Sequence, residues 1–367
     1  MDASILLIAI LTAISTSLLG VFLVIRKMSM MTDAISHTVL LGIVFGFMLV
    51  GNLNSPILIL MATLMGVFTT YLIELLVKSK KTTEDAATGV VFPLLFSIAV
   101  IIISLGFRSV HLDVDAVLLG NLEFAIFDQL VVFGYNIGPK SLYIMAFVAL
   151  LNLVFIIVFY KELKIVNFDA ALATVVGISP IFIHYALMFL VSLTSVAAFN
   201  AVGSILVIAM TVGPAATALL FTKDLKKTLL MAVIVGVANS IVGYFAALYF
   251  DVVISGSIAT VTLITFLLTL LLNKRNGIIY KLVKRSRQKR DYSILTLLVH
   301  IENHEAEISK YQIGDIGFEK MFESNFNKEK YIKLAVAENY LKITNNYLIL
   351  TDKGKEKITE NLRENLG

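Results

Sequence analysis

The sequence predicts an all-α polytopic membrane protein of eight or nine transmembrane helices, followed by a small α+β cytoplasmic domain. Three observations predict it. Apolar runs of about 18 residues or more, long enough to cross a bilayer, recur along the first 273 residues. Only 15% of the 367 residues are charged, against about 25% in a soluble globular protein, and the mean hydropathy is +0.89. Beyond residue 273 the composition turns mixed and polar. Residues 1–273 therefore read as a transmembrane domain, 274–290 as a basic juxtamembrane linker and 291–367 as a cytoplasmic domain.

Nine apolar segments can be marked, near 4–25, 34–51, 56–77, 88–106, 141–160, 180–199, 203–222, 229–249 and 253–272; eight is the alternative count, because the break at 199–203 is slight. No basic stretch precedes the first segment, so it reads as a retained span and not a cleaved signal peptide. Arg26-Lys27, Lys78 with Lys80-Lys81, Lys161 with Lys164, Lys223 with Lys226-Lys227, and Lys274-Arg275 fall in alternate connections. The opposite connections hold only Arg108 and Lys140. Lys and Arg stay on the cytoplasmic side of a membrane. The N-terminus is thus expected outside the plasma membrane and the C-terminus inside, with an odd number of spans. The chain has no Cys, which excludes disulfides and thiolate metal sites.

The stretch 26–46 carries the candidate chemistry. Asp33 and His37 stand four apart, on one helical face, at the edge of an apolar span. An ionisable pair there is costly and marks a pathway for something charged. A carboxylate oxygen beside an imidazole nitrogen suits a divalent transition metal, and without a thiolate leans to manganese or iron. A site at mid-membrane requires the segment near Ser29 to enter the bilayer irregularly, because Arg26-Lys27 holds the neighbouring end at the cytoplasm. Gly42 and Gly46 form a Gly-x-x-x-Gly that lets a second helix approach closely.

Further along, Glu74 lies one turn before Lys78 and reads as a snorkelling ion pair before a pathway residue. Pro93 and Pro214 lie inside apolar runs. The stretch from Gly203 through Gly213-Pro214 is rich in small residues, and it is open between a gating break and a kinked packing helix. The outer loop 107–140 holds Arg108, His111, Asp113, Asp115, Asn121, Glu123 and Asp128, a set read first as a wet loop and second as a metal-receiving face. His184 reads as a hydrogen-bonded interface residue before a ligand. In the connection 161–180, Asn167 or Asp169 can cap a short helix favoured by Ala170, Ala171 and Ala173 and ended by Gly177. Such a helix fits either a partner's groove or the bilayer surface.

Five stretches occur in order across residues 4–273: Leu23-Val-Ile-Arg-Lys-Met-Ser-Met-Met-Thr-Asp-Ala-Ile-Ser-His, Glu84-Asp-Ala-Ala-Thr-Gly-Val-Val-Phe, Phe168-Asp-Ala-Ala-Leu-Ala-Thr-Val-Val-Gly-Ile, Val202-Gly-Ser-Ile-Leu-Val-Ile-Ala-Met-Thr-Val-Gly-Pro, and Phe250-Asp-Val-Val-Ile-Ser-Gly-Ser. Together they resemble the integral-membrane permease of bacterial metal-ion ABC importers, the manganese, zinc and iron family. The resemblance implies a homodimer of permeases, two cytoplasmic ATP-binding subunits and an extracellular metal-binding lipoprotein. It also implies a metal path at Asp33 and His37, and an ATPase-coupling loop carrying Phe168, Asp169, Ala171, Ala173 and Gly177. Gly177 stands eight residues after Asp169, later than in the corresponding loop of other ABC permeases. Gly42, Gly46, Gly203, Gly213 and Pro214 are the expected packing and gating positions. No bound cofactor is expected, only the transported ion. No Gly-x-x-x-x-Gly-Lys-Ser/Thr phosphate loop occurs, so the chain is read as a non-enzymatic subunit.

The tail departs from that pattern. Ile294, Leu297, Leu298 and Ile301 give a helical period, as do Ile332, Ala335 and Val336, and 341–350 reads as a hairpin with Asn345-Asn346 at its tip. This order, ending in Leu350-Thr351-x-x-Gly354, resembles a winged-helix domain. Ten Lys and Arg against thirteen Asp and Glu give residues 291–367 a net charge of −3, which argues against gripping nucleic acid. The basic linker suits anionic membrane lipid. His300, Glu302, His304, Glu305 and Glu307 are open between a metal-sensing cluster and a solvated helix end. The expected function is the permease subunit of a divalent-metal importer. A membrane-anchored metal sensor and an ion-coupled secondary transporter are the alternatives.

Overall fold

The computed structural model describes residues 3–52, 55–106, 122–123, 125, 127–132, 135–273, 277–303, 307–309, 328–344 and 347–366. Arg108, His111, Asp113, Asp115, Asn121, Lys274, Arg275, His304, Glu305, Asn345 and Asn346, all named above, lie outside the described residues. The chain divides into two units, residues 1–277 and 278–367.

The first unit runs α1 (Ala3–Ile25), α2 (Met31–Val50), α3 (Pro56–Lys78), α4 (Glu84–Gly106), the hairpin β1 (Gln129–Val132) and β2 (Tyr135–Pro139), α5 (Lys140–Val158), the short helices α6 (Tyr160–Phe168) and α7 (Ala170–Val175), then α8 (Pro180–Val202), α9 (Ser204–Phe221), α10 (Leu225–Phe250) and α11 (Ile254–Leu272). Among the described residues, nine helices are long and apolar enough to cross a membrane: α1 to α5 and α8 to α11. A 23-residue helix such as α1 is about 35 Å long at 1.5 Å per residue, enough for a bilayer core.

Several helices are capped by a polar side chain just ahead of their first turn. The first turn of a helix has free N–H groups, so polar residues are welcome there. Ser55 accepts from Ile57 N at 3.3 Å ahead of Pro56, Ser179 accepts from Phe182 N at 3.3 Å ahead of Pro180, and Asp224 accepts from Lys227 N at 3.0 Å. The Lys227 amide, then the Lys227 and Lys164 charges, hold the Asp224 carboxyl below its ordinary range.

Helix α1 is the most deeply enclosed span, packed by α5, α8, α9 and α10. Its buried hydroxyls turn back onto their own helix: Thr12 donates to Ile8 O at 2.8 Å, Ser15 to Leu11 O at 2.7 Å and Thr16 to Thr12 O at 2.8 Å. Close approach comes from glycine. A Cβ on Gly20 would stand 1.9 Å from Thr211 O of α9, and one on Gly42 would stand 2.6 Å from Ala62 Cα of α3. Gly46 is looser, 3.1 Å from Leu58 Cα, so Gly42 and Gly46 serve contact with α3 of the same chain.

The sequence left a break at Gly213-Pro214 open, and α9 runs through both residues without one. A proline costs its helix one hydrogen bond, which leaves the remaining ladder intact. The interruption falls earlier, at Gly203, whose φ of +85° and ψ of +157° separate α8 from α9. A left-handed φ there favours glycine.

The second unit runs α12 (Ile278–Glu302), β3 (Glu307–Ser309), α13 (Lys328–Ala337), β4 (Leu341–Thr344), β5 (Tyr347–Leu350) and α14 (Asp352–Leu366). Its antiparallel sheet has the order β3-β5-β4. Ile294, Leu297, Leu298 and Ile301 of α12 form a core with Ile332, Ala335, Leu341, Leu348 and Ile358. The basic stretch from 278 is helical and continues into the core-forming half of α12 without interruption. The Leu-Thr-x-x-Gly ending has a local cause. Thr351 Oγ1 accepts from Gly354 N at 3.2 Å and donates to Asn339 O at 2.7 Å, while a Cβ on Gly354 would stand 2.5 Å from Tyr340 O.

Substituting Gly20→Val is expected to lower the melting temperature of the purified protein sharply, since overpacking a filled core costs about 1–3 kcal/mol and here the clash is with backbone. Gly89→Ala on α4, where a Cβ meets nothing, is expected to change stability by no more than about 1 kcal/mol.

Candidate functional site

Asp33 and His37 lie in the first two turns of α2. Asp33 Oδ1 and His37 Nε2 are 3.6 Å apart, and each side chain is 33% exposed. A carboxylate in the first turn sits where the free N–H groups favour negative charge. The imidazole is held by α4: its ring stacks on Phe92 at a centroid distance of 5.2 Å and meets the edge of Phe96 at 5.9 Å. The pair therefore offers one oxygen and one nitrogen on a partly open face. Among the described residues no three His, Cys, Asp or Glu side chains come together to hold a metal.

The turn before α2 is tight. Met28 N donates to Leu23 O at 2.9 Å, Met31 N donates to Met28 O at 3.1 Å, and Lys27 takes a φ of +64°. Residues 26–30 are thus a non-helical turn between α1 and α2. Asp33 stands about 3 Å along α2, at the same end of the bundle as Arg26.

Arg26 is not a solvated anchor. Its Nη1 meets His184 Nδ1 at 2.6 Å and its Nε donates to Asn167 Oδ1 at 2.5 Å. His184 Nε2 meets Glu74 Oε1, Tyr185 Oη donates to Glu74 Oε2 at 3.0 Å, and Lys78 Nζ lies 3.7 Å from the same oxygen. The side chains of His184 and Glu74 are 16% and 20% exposed. Burial pushes the Arg26 guanidinium below its ordinary value, and the Glu74 charge pushes it back up. Four elements meet here: the α1–α2 turn, the end of α3, α6 and the start of α8. The sequence reading treated Glu74, His184 and Asn167 one by one; their shared signal was that each stands at the lysine- and arginine-bearing end of its span.

Asp169, and not Asn167, caps the short helix α7, accepting from Leu172 N at 2.9 Å. Gly177 follows it with a φ of +87°. Ala173 is fully buried, whereas Phe168, Leu172, Val175 and Val176 are exposed. Ala171 is exposed as well. On the opposite end, Glu123 Oε1 accepts from Ile254 N at 3.2 Å and so caps α11. Ser255 Oγ, beside it, donates to Val202 O at 3.0 Å. The 107–140 connection thus uses Glu123 as a structural acceptor.

Residues 3–273 match the ABC 3 transport family. The chain is 41% identical to the manganese transport system membrane protein MntD of Bacillus subtilis over 290 residues, 79% of this chain and 98% of that protein. It is 40% identical to the zinc transport system membrane protein TroD of Treponema pallidum, over 84% of each. Among solved structures it resembles PsaBC from Streptococcus pneumoniae in complex with Fab, with a TM-score of 0.62 and 29% identity over 77% of this chain and 94% of the other. The chain belongs to the ABC 3 transport family and is a multi-pass membrane protein.

Replacing Asp33 by Asn keeps its shape and removes its charge. Titration of the purified protein with Mn²⁺ should then show affinity falling at least about tenfold, the low end of what losing even an outer partner of a metal ligand costs. Glu123→Ala should leave that affinity unchanged and lower the melting temperature, since its acceptor serves α11.

Proposed function

We propose that the chain is the membrane permease subunit of an ATP-driven importer for a divalent first-row metal ion, manganese, zinc or iron. The carrying observation is the oxygen–nitrogen pair of Asp33 and His37 on a partly open face of α2, in a chain of this family. The permease has no catalytic chemistry of its own, and a separate pair of cytoplasmic subunits hydrolyses ATP. An extracellular lipoprotein delivers the ion. Two permease copies bring two Asp33–His37 pairs to a common axis, where four side-chain donors replace part of the ion's water shell.

The N-terminus lies outside and the C-terminus in the cytoplasm. Supporting this, Arg26, Lys78 and Asn167 meet at one end of the bundle, and the Lys164 charge bears on Asp224 of the next basic connection. Positive residues gather where a bilayer faces the cytoplasm. The apolar surface of Phe168, Leu172, Val175 and Val176 is then a knob for a groove in the ATP-binding subunit. Ala171 borders it, and Ala173 and Gly177 shape the helix beneath. Gly42, Gly46, Gly203, Gly213 and Pro214 set helix spacing during the transport cycle.

For the second unit we propose a winged-helix fold that contacts neighbouring subunits. Its helix, strand, helix and hairpin order and its β3-β5-β4 sheet support that reading, and its net charge of −3 disfavours nucleic acid. The basic half of α12 faces anionic lipid.

Proteoliposomes holding this chain with its ATP-binding partner should accumulate radioactive Mn²⁺ only when ATP is supplied. Accumulation driven by an ion gradient, with the partner omitted, would instead make the chain a secondary transporter.

A further inference from the structure

The cluster around Arg26 joins two places that the transport reading uses separately. Arg26 stands seven residues before Asp33, directly after α1, in the tight turn that leads into the helix carrying the pair. Asn167 stands two residues before Asp169, at the base of the exposed α7 knob. A single bidentate-type grip by one guanidinium, on Asn167 Oδ1 and on His184 Nδ1, connects them across 141 and 158 residues of sequence.

The chemistry of the grip is specific. A guanidinium only donates, so His184 Nδ1 must hold a lone pair and its proton sits on Nε2, facing Glu74. His184 then bridges a buried cation and a half-buried carboxylate. Arg26 Nη2 is buried with no hydrogen-bond partner among the described residues. A buried charged donor left unpaired is costly, so the network is not fully satisfied in this conformation and has a donor free for an exchange of partners.

We propose that Arg26, His184, Glu74 and Asn167 form a mechanical link that carries movement of the ATPase-facing loop to the base of α2, and so to Asp33 and His37. These are positioning residues: they touch neither ion nor nucleotide. When α7 is displaced, Asn167 moves with it, and Arg26 follows, carrying the α1–α2 turn that leads through Met28 and Met31 into α2. Glu74 and His184 hold the guanidinium in register with α3 and α8. The coupling is physical because the two ends share side-chain bonds, not because they lie along a line.

This inference rests on the permease reading, and the test separates the two. The full chain, assembled with its ATP-binding partner in proteoliposomes, is assayed for ATP hydrolysed and Mn²⁺ moved in the same vesicles. His184→Leu and Asn167→Leu should lower the metal moved per ATP by about tenfold, within the usual range of inter-site coupling, while hydrolysis continues. His184→Gln, whose amide oxygen can accept from Arg26 and whose amide N–H can donate to Glu74, should keep the wild-type ratio. Glu74→Gln, which keeps shape and drops charge, should fall between them. If hydrolysis and transport decline in equal proportion in both leucine variants, or if neither changes, the link is overturned. A wild-type chain that moves no metal with ATP would overturn the permease reading itself.

Discussion

The first unit depends on one constraint: its helices must satisfy every polar group without water and still come close enough to pack. Hydrocarbon offers no hydrogen-bond partner, so the backbone closes its bonds within helices and the hydroxyls of Thr12, Ser15 and Thr16 return to their own carbonyls. With no hydrophobic drive between helices in lipid, contact rests on fit. Gly20 against Thr211 and Gly42 against Ala62 supply that fit at backbone distance. The first sets α9 against the central helix. The second sets α3 against α2, which is the helix bearing Asp33 and His37.

That packing leaves two kinds of polar group with different fates. Asn152 Nδ2 is consumed inside the bundle by Ser15 O at 3.3 Å and Thr194 Oγ1 at 2.8 Å, and stitches α5 to α1 and α8. Asp33 and His37 are instead only 3.6 Å from each other, backed by two phenylalanines, with a third of each side chain open. The Arg26 cluster lies at the same end of the bundle and shares α2's supporting turn.

Much of this was legible in the sequence, and the reasons for the rest are specific. All nine crossing helices followed from apolar run length, because hydropathy and span length are tied by bilayer thickness. The Asp33–His37 proximity followed from a four-residue spacing. Helix α6 was missed because Tyr160–Phe168 is short, mostly polar and separated from α5 by Phe159 alone. Its Asn167 was weighed as a cap, a role that Asp169 takes one turn ahead of Leu172. The break marked at 199–203 falls at Gly203, and of the two readings left open for Gly213-Pro214 the continuous helix is the one formed. The Arg26 cluster shares only the basic ends of its segments as a signal, since its members come from four segments joined by folding.

The central claim is that a divalent ion crosses by way of the α2 pair. Uptake of radioactive manganese by cells producing Asp33→Ala or His37→Ala, at protein levels matched to wild type, tests it most directly. Uptake at the background of cells lacking the chain, in each variant, is the predicted result. Wild-type uptake in both would contradict it.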